Sequence, residues 1–124
     1  MKIAVTAKGN TLDSEVDPRF GRCSHFLIVD GDTMSFESIS NESAMAYGGA
    51  GIQAAQAMAK AGVKAVVTGN MGPNAFQTLS AAGIKVFIGA NGTIKEAIEK
   101  YKKGELKETE SSNVSSHSGM GRGR

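Results

Sequence analysis

Arg19, Arg22, Cys23 and His25 fall within one short stretch, and their types offer two kinds of chemistry. A guanidinium presents a rigid fork of donors that suits anions. A thiol and an imidazole are ligands for transition metals and iron-sulfur clusters. Cys23 and His25 share parity on an extended chain, so a strand would turn both to one side. Met71, set in Gly69-Asn70-Met71-Gly72-Pro73-Asn74, adds a thioether in a loop. Each residue also has a plain structural use. A lone cysteine beside a strand packs as a small apolar group, two loop arginines sit in solvent, and a methionine closes over packed helices.

Other chemistries lack their residues. Asp13, Glu15 and Asp17 crowd one loop, as solvated charges usually do. The chain has two histidines, and one of them, His117, lies near the C-terminus with Met120, so no Ser-His-Asp set can be defended. Neither GxGxxG nor GxxxxGK[ST] occurs, which removes the nucleotide-binding fingerprints. A single cysteine excludes an internal disulfide framework and an all-thiolate zinc site, and makes a reducing cytoplasm the expected home. The net charge of +2 comes from interspersed acids and bases, which is no footprint for nucleic acid. The opening Met1-Lys2-Ile3-Ala4-Val5 has too short an apolar run for a signal peptide, and no stretch approaches the roughly 20 apolar residues of a membrane helix. The expected partner is a metal cluster or small anionic ligand, without nucleic acid or membrane.

The elements that position these residues follow from the hydrophobic period. Lys2–Ala7, His25–Asp30 and Thr33–Ser40 read as strands, the last two joined in a tight hairpin through Asp30-Gly31-Asp32. Gly51–Lys60 then reads as a helix closed by Gly62, Val63–Thr68 as a strand, and Pro73–Ala82 as a helix closed by Gly83. Ile84–Ile88 follows as a strand and Thr93–Lys103 as a helix ended by Gly104. The alternation predicts a five-stranded mixed sheet with helices on both faces, a three-layer α/β domain over residues 1–105. From Glu105 onward apolar residues nearly vanish, so residues 106–124 are expected to form a flexible tail.

With the first, fourth and fifth strands parallel and the hairpin beside the first, one sheet edge gathers every unusual loop. These are Lys8–Ser24, Asn41–Gly51, Gly69–Pro73 and Gly89–Gly92. Open α/β sheets bind ligands beyond the carboxyl ends of their parallel strands, where helix N-termini aim unpaired N–H groups at anions. Glycine lets the backbone approach such a ligand. The first of these loops, roughly 17 residues, is long for a structureless connection, which favours a binding role.

The run Val16-Asp17-Pro18-Arg19-Phe20-Gly21-Arg22-Cys23-Ser24-His25-Phe26 is followed by a hairpin, a Gly-rich helix start and Gly69-Asn70-Met71-Gly72-Pro73-Asn74-Ala75. This pattern resembles the dinitrogenase iron-molybdenum cofactor biosynthesis family, which includes NifX-like carriers and the C-terminal module of NifB-like proteins. The resemblance implies a ribonuclease H-like fold. It also implies transient, non-catalytic binding of an iron-sulfur or molybdenum-iron cluster, or its precursor, with cofactor-assembly proteins as partners. Nitrogenase-associated members often carry histidine where this chain has Arg19. The expected binding positions are Arg19, Gly21, Arg22, Cys23, Gly48, Gly49, Gly51, Gly69, Met71 and Gly72, with Cys23 and His25 as metal ligands. The alternative is an anion-sensing or protein-interaction module unconnected with nitrogenase.

Overall fold

The computed structural model describes residues 1–42 and 49–110. Its elements are β1 (Lys2–Ala7), β2 (His25–Asp30), β3 (Phe36–Ser40), α1 (Ala50–Ala61), β4 (Ala65–Val67), α2 (Pro73–Ala81), β5 (Lys85–Ile88), α3 (Ile94–Lys102) and β6 (Lys107–Thr109). One sheet carries the strand order β3-β2-β1-β4-β5-β6. β1, β4 and β5 run parallel, while β2 is antiparallel to both of its neighbours and β6 is antiparallel to β5.

The two-residue period of the strands divides the core. Ala4, Phe26, Ile28, Val66 and Val86 point to one face, where Ala54, Ala55 and Met58 of α1 and Ala75 and Leu79 of α2 cover them. Ile3, Val5, Leu27, Val29, Ala65 and Val67 point to the other, where Ile94, Ala97 and Ile98 of α3 pack. β1 is therefore buried from Ile3 to Ala7 without alternation, as expected for a central strand covered on both sides. The helices end where glycine can turn the chain: Gly62 adopts φ 78° and donates back to Ala59 and Met58.

Two expectations are corrected. The hairpin is not tight: residues 31–35 form its loop, because the Asp30 carboxylate accepts from the Asp32 and Thr33 N–H groups at 2.8 and 3.3 Å and Met34 takes φ 64°. This side-chain turn widens the loop, which closes where Met34 N–H donates to Asp30 O and Asp30 N–H to Ser35 O, both at 2.8 Å, just before β3. The sheet also has six strands, not five, and continues past residue 105. Polarity made the segment after Glu105 read as unable to fold, yet β6 needs little apolar area. It pairs its backbone to β5 through Val86–Thr109, Phe87–Glu108 and Ile88–Lys107, with Leu106 packed on the α3 side. A short, charged strand is what a sheet edge ordinarily carries. The expected tail from 111 onward lies outside the described residues. Among those described, no helix is long and apolar enough to cross a membrane.

Candidate functional site

The segment after β1 crosses the carboxyl ends of the parallel strands and is tied down at each step. Val16 N–H donates to Gly92 O at 2.9 Å, Asp17 N–H to Thr6 O at 2.9 Å, and Asn70 N–H to Pro18 O at 2.8 Å. Thr6 Oγ1 donates to Asp17 O at 2.6 Å and meets Thr68 Oγ1 at 2.8 Å, all three residues buried. Because the single Thr6 hydroxyl proton goes to the carbonyl, the Thr68 hydroxyl donates to Thr6. Gly69 is required here: a Cβ on it would lie 2.7 Å from Pro18 Cα and 3.0 Å from Pro18 O.

That anchorage places Arg19. Asp17 Oδ1 accepts from the Arg19 backbone N–H at 2.9 Å and from Nε at 3.2 Å, and Oδ2 accepts from Nη2 at 3.3 Å. The Asp17 side chain is 4% exposed and that of Arg19 65%, so a buried carboxylate holds an outward guanidinium by one edge. This hydrogen bonding and charge raise the Arg19 pKa above its ordinary value. Asp17 is thus not one of a group of solvated loop acids. It is a buried positioning group that the crowding of acids in the sequence concealed.

The chain then turns through Phe20, buried and in ring contact with Phe26 at 5.5 Å, to Gly21. A Cβ on Gly21 would come within 3.0 Å of Gly51 N and Cα, and one on Gly51 within 3.3 Å of Ala75 Cβ. Three backbone segments, from the loop, α1 and α2, therefore meet at near contact. Asn41 holds the loop's far side, Nδ2 donating to Gly21 O at 3.1 Å and Cys23 O at 2.9 Å.

Both helices open onto this junction without a side-chain cap. α1 begins after Gly49, in the left-handed region at φ 69°, and α2 after Gly72, with Pro73 in its first turn. The first backbone hydrogen bonds are Gln53 N–H to Gly49 O and Phe76 N–H to Gly72 O. The N–H groups of Ala50, Gly51 and Ile52 in α1, and of Asn74 and Ala75 in α2, consequently have no intrahelical acceptor. α3 differs: Thr93 and Glu96 close a reciprocal capping box at its start. A cleft of about 370 Å³ lies against the two uncapped ends, lined by Arg19, Phe20, Gly21, Gly49, Gly51, Ile52, Asn70, Gly72, Pro73, Asn74 and Ala75. Donors, two helix dipoles and one guanidinium facing an apolar floor make a receptor for an anion with bulk.

The structure gathers Arg19, Gly21, Gly49, Gly51 and Gly72 around the cleft, with Gly69 beneath them against Pro18. It places the sulfur residues elsewhere. Cys23 is fully buried in the core under α1 and α2, its Sγ donating to Phe20 O at 3.3 Å. Burial, aided by the charge of Asp17, pushes its thiol pKa up to about 12. Met71, 1% exposed, belongs to the same core. His25 opens β2 with Nδ1 3.0 Å from Ser24 Oγ, and its parity is that of Leu27 and Val29. The expected common side for Cys23 and His25 fails because the chain enters β2 between them, leaving Cys23 with the Phe26 cluster. Arg22 is exposed and does not line the cleft. Among the described residues, no three of His, Cys, Asp and Glu come together as a metal site. Gly48, His117 and Met120 lie outside the described residues. Sequence reasoning missed Asp17, Asn70, Asn74 and the apolar Phe20, Ile52, Pro73 and Ala75 as site residues. The signal available for Asp17 was its spacing of two from Arg19, which suits a side-chain turn onto the Arg19 N–H.

Comparison with known proteins places this geometry in context. The family model described as dinitrogenase iron-molybdenum cofactor matches residues 1–104. The apo form of the orange protein from Desulfovibrio gigas superposes with a TM-score of 0.89 at 44% identity, covering 91% of this chain and 96% of that one. A NifB-like protein from Thermotoga, of the DUF35 family, gives 0.76 at 37% identity over 86% and 91% of the two chains. An uncharacterized protein of Methanocaldococcus jannaschii is 34% identical over 113 residues, 89% of this chain and 92% of the relative.

Proposed function

The chain belongs to the dinitrogenase iron-molybdenum cofactor family, and on that premise we propose that it binds a sulfide-containing metal cluster, or its precursor, as cargo during cofactor assembly. The observation that carries this reading is the convergence of two uncapped helix N-termini and the Asp17-held Arg19 on one cleft. Iron-sulfur and molybdenum-iron clusters are large anions, and donors already aimed at a common point hold an anion with little reorganisation. The proposed binding groups are Arg19, the N–H groups of α1 and α2, and the amides of Asn70 and Asn74. Gly21, Gly49, Gly51, Gly69 and Gly72 keep the backbone bare or let it approach closely. A cysteine with its thiol pushed to about 12 stays protonated, which favours a cargo that brings its own sulfur over one ligated by Cys23. The proposed role is carriage rather than catalysis, and the fold is read as ribonuclease H-like. Donor and acceptor proteins of the assembly route are the expected partners.

The test is anaerobic titration with a reconstituted iron-sulfur cluster and, separately, with tetrathiomolybdate, followed by absorbance and metal content. Stoichiometric uptake is expected, lost or weakened at least about tenfold in Arg19→Ala and kept in Cys23→Ala. No uptake by the wild type would overturn the carrier reading, and uptake abolished only in Cys23→Ala would replace the anion cleft by a thiolate site.

A further inference from the structure

We infer that this cleft takes sulfide-terminated anions in preference to compact oxyanions of the same charge, and that Asp17 is the positioning residue that sets the preference. The inference rests on the carrier reading above and narrows its cargo. Among the described residues lining the cleft, Arg19 is the only one that ionises. Its charge is already cancelled: Asp17 lies along the Nε edge of the guanidinium at 3.2 and 3.3 Å, with its side chain 4% exposed. The Asp17 carboxylate is held in place: its main chain is bonded to Thr6, its side chain is buried, and Oδ1 also accepts from the Arg19 backbone N–H at 2.9 Å. The pair therefore brings no net formal charge to the mouth, with or without cargo.

What remains to attract an anion is about half a charge at each helix start and the N–H groups there. The walls are Phe20, Ile52, Pro73 and Ala75. An oxyanion such as phosphate or molybdate concentrates its charge on small oxygens and holds water tightly. Removing that water against apolar walls needs a compensating formal charge, and the Arg19–Asp17 pair supplies none. A sulfide-terminated anion spreads the same charge over larger, polarizable atoms. It gives up less hydration and gains dispersion contact with the ring and aliphatic walls. Neutralising the arginine thus disfavours the abundant competitor more than the cargo. An Arg19 without its carboxylate would offer a charged fork, the group best matched to oxyanions.

Tetrathiomolybdate and molybdate share geometry and formal charge and differ in their outer atoms, so the ratio of their affinities reads the preference directly. Titrated anaerobically at fixed ionic strength, the wild type is expected to bind tetrathiomolybdate at least about tenfold more tightly than molybdate or phosphate. Asp17→Asn should raise oxyanion affinity about tenfold, the effect of one unscreened unit charge near a site, and narrow the ratio. Asp17→Asn combined with Arg19→Gln, neutral again, should restore a wide ratio. Loss of folding alone would lower both affinities together. Should Asp17→Asn not fold, the salt dependence of the wild type decides: a neutral mouth predicts a shallow fall in tetrathiomolybdate affinity with added salt, and a steep one overturns the inference. Equal wild-type affinities, or a ratio unchanged in Asp17→Asn, would overturn it while leaving the carrier reading intact. Uptake of no anion and no cluster would instead overturn the carrier reading itself.

Discussion

Gly72→Ser should stabilise the fold and weaken cargo binding, an opposition of signs that few substitutions give. Gly72 is the N-cap of α2, with φ −80° and ψ 168°, the extended conformation in which a serine cap works. A Cβ there meets nothing within 4 Å. The new Oγ would reach the N–H groups of Asn74 and Ala75, which otherwise face the cleft. Against glycine, the added cap is worth a few tenths of a kcal/mol, and the stiffer unfolded chain adds about 0.4–1 kcal/mol. The sum, about 0.6–1.4 kcal/mol, should raise Tm by about 2–8 °C. On the cargo side, two limits bracket the loss. If the cargo displaces the hydroxyl, it forfeits the cap energy, about twofold in affinity. If it does not, it forfeits a hydrogen bond to a charged acceptor worth about 1.5–3 kcal/mol, up to about a hundredfold. Thermal unfolding by circular dichroism and anaerobic titration with tetrathiomolybdate, at one salt concentration, measure the two quantities. A higher Tm with unchanged affinity would refute the assignment of the α2 N–H groups to cargo. A lower Tm would show that the hydroxyl does not cap.

Two further outcomes follow from packing and burial. Gly69→Ala forces a Cβ into the Pro18 backbone, so it should cost about 1–3 kcal/mol of stability, read by urea denaturation, and loosen the Arg19 loop enough to weaken cargo uptake; a variant as stable as the wild type would count against the close approach of these segments. Cys23 should be inert to a thiol reagent in the native protein at pH 8 and react on unfolding. Its folded pKa of about 12 lies above the ordinary value of 9.0, so between those values the native state holds more protons than the unfolded. Its contribution to stability is fully present below pH 9 and is lost as pH rises toward 12, by at most about 1.4 kcal/mol per pH unit. A Cys23→Ala variant with the same alkaline slope would remove the thiol as its source.

The strands and helices were legible because burial on both faces leaves uninterrupted apolar runs, as in β1 and β4, and because Gly62, Gly83 and Gly104 punctuate the helices. The sheet edge that carries the cleft followed from strand order. What the sequence concealed was direction within that edge. Cys23 and Met71 are chemically the most suggestive residues of the loops, yet their loops fold inward and spend both in the core. Asp17 looked like the least suggestive, one acid among three, and became the group that holds Arg19. Neither outcome could be read locally, because each depends on contacts made across the sheet, to Thr6, Thr68 and Asn70. β6 was hidden for a related reason: an edge strand draws on backbone pairing, which leaves little trace in composition.

Among the described residues, the three helix starts differ in a way that supports the proposed binding role of the α1 and α2 N–H groups. α3, on the opposite face, carries the full reciprocal cap of Thr93 and Glu96, so this chain uses capping where stability alone is served. α1 and α2 have no side-chain cap at the cleft: at position 72 a serine, threonine or aspartate would be worth a few tenths of a kcal/mol against glycine, whereas at position 49, with φ 69°, it would be strained. At Gly72 the conformation would accept such a residue without strain. A small gain in local stability is thus forgone at Gly72, whose helix end shares the cleft with Arg19, and capping is kept at α3, which does not share it. Donors that must meet a ligand account for this division on the proposed function, whereas a purely structural junction would have gained from a side-chain cap at Gly72.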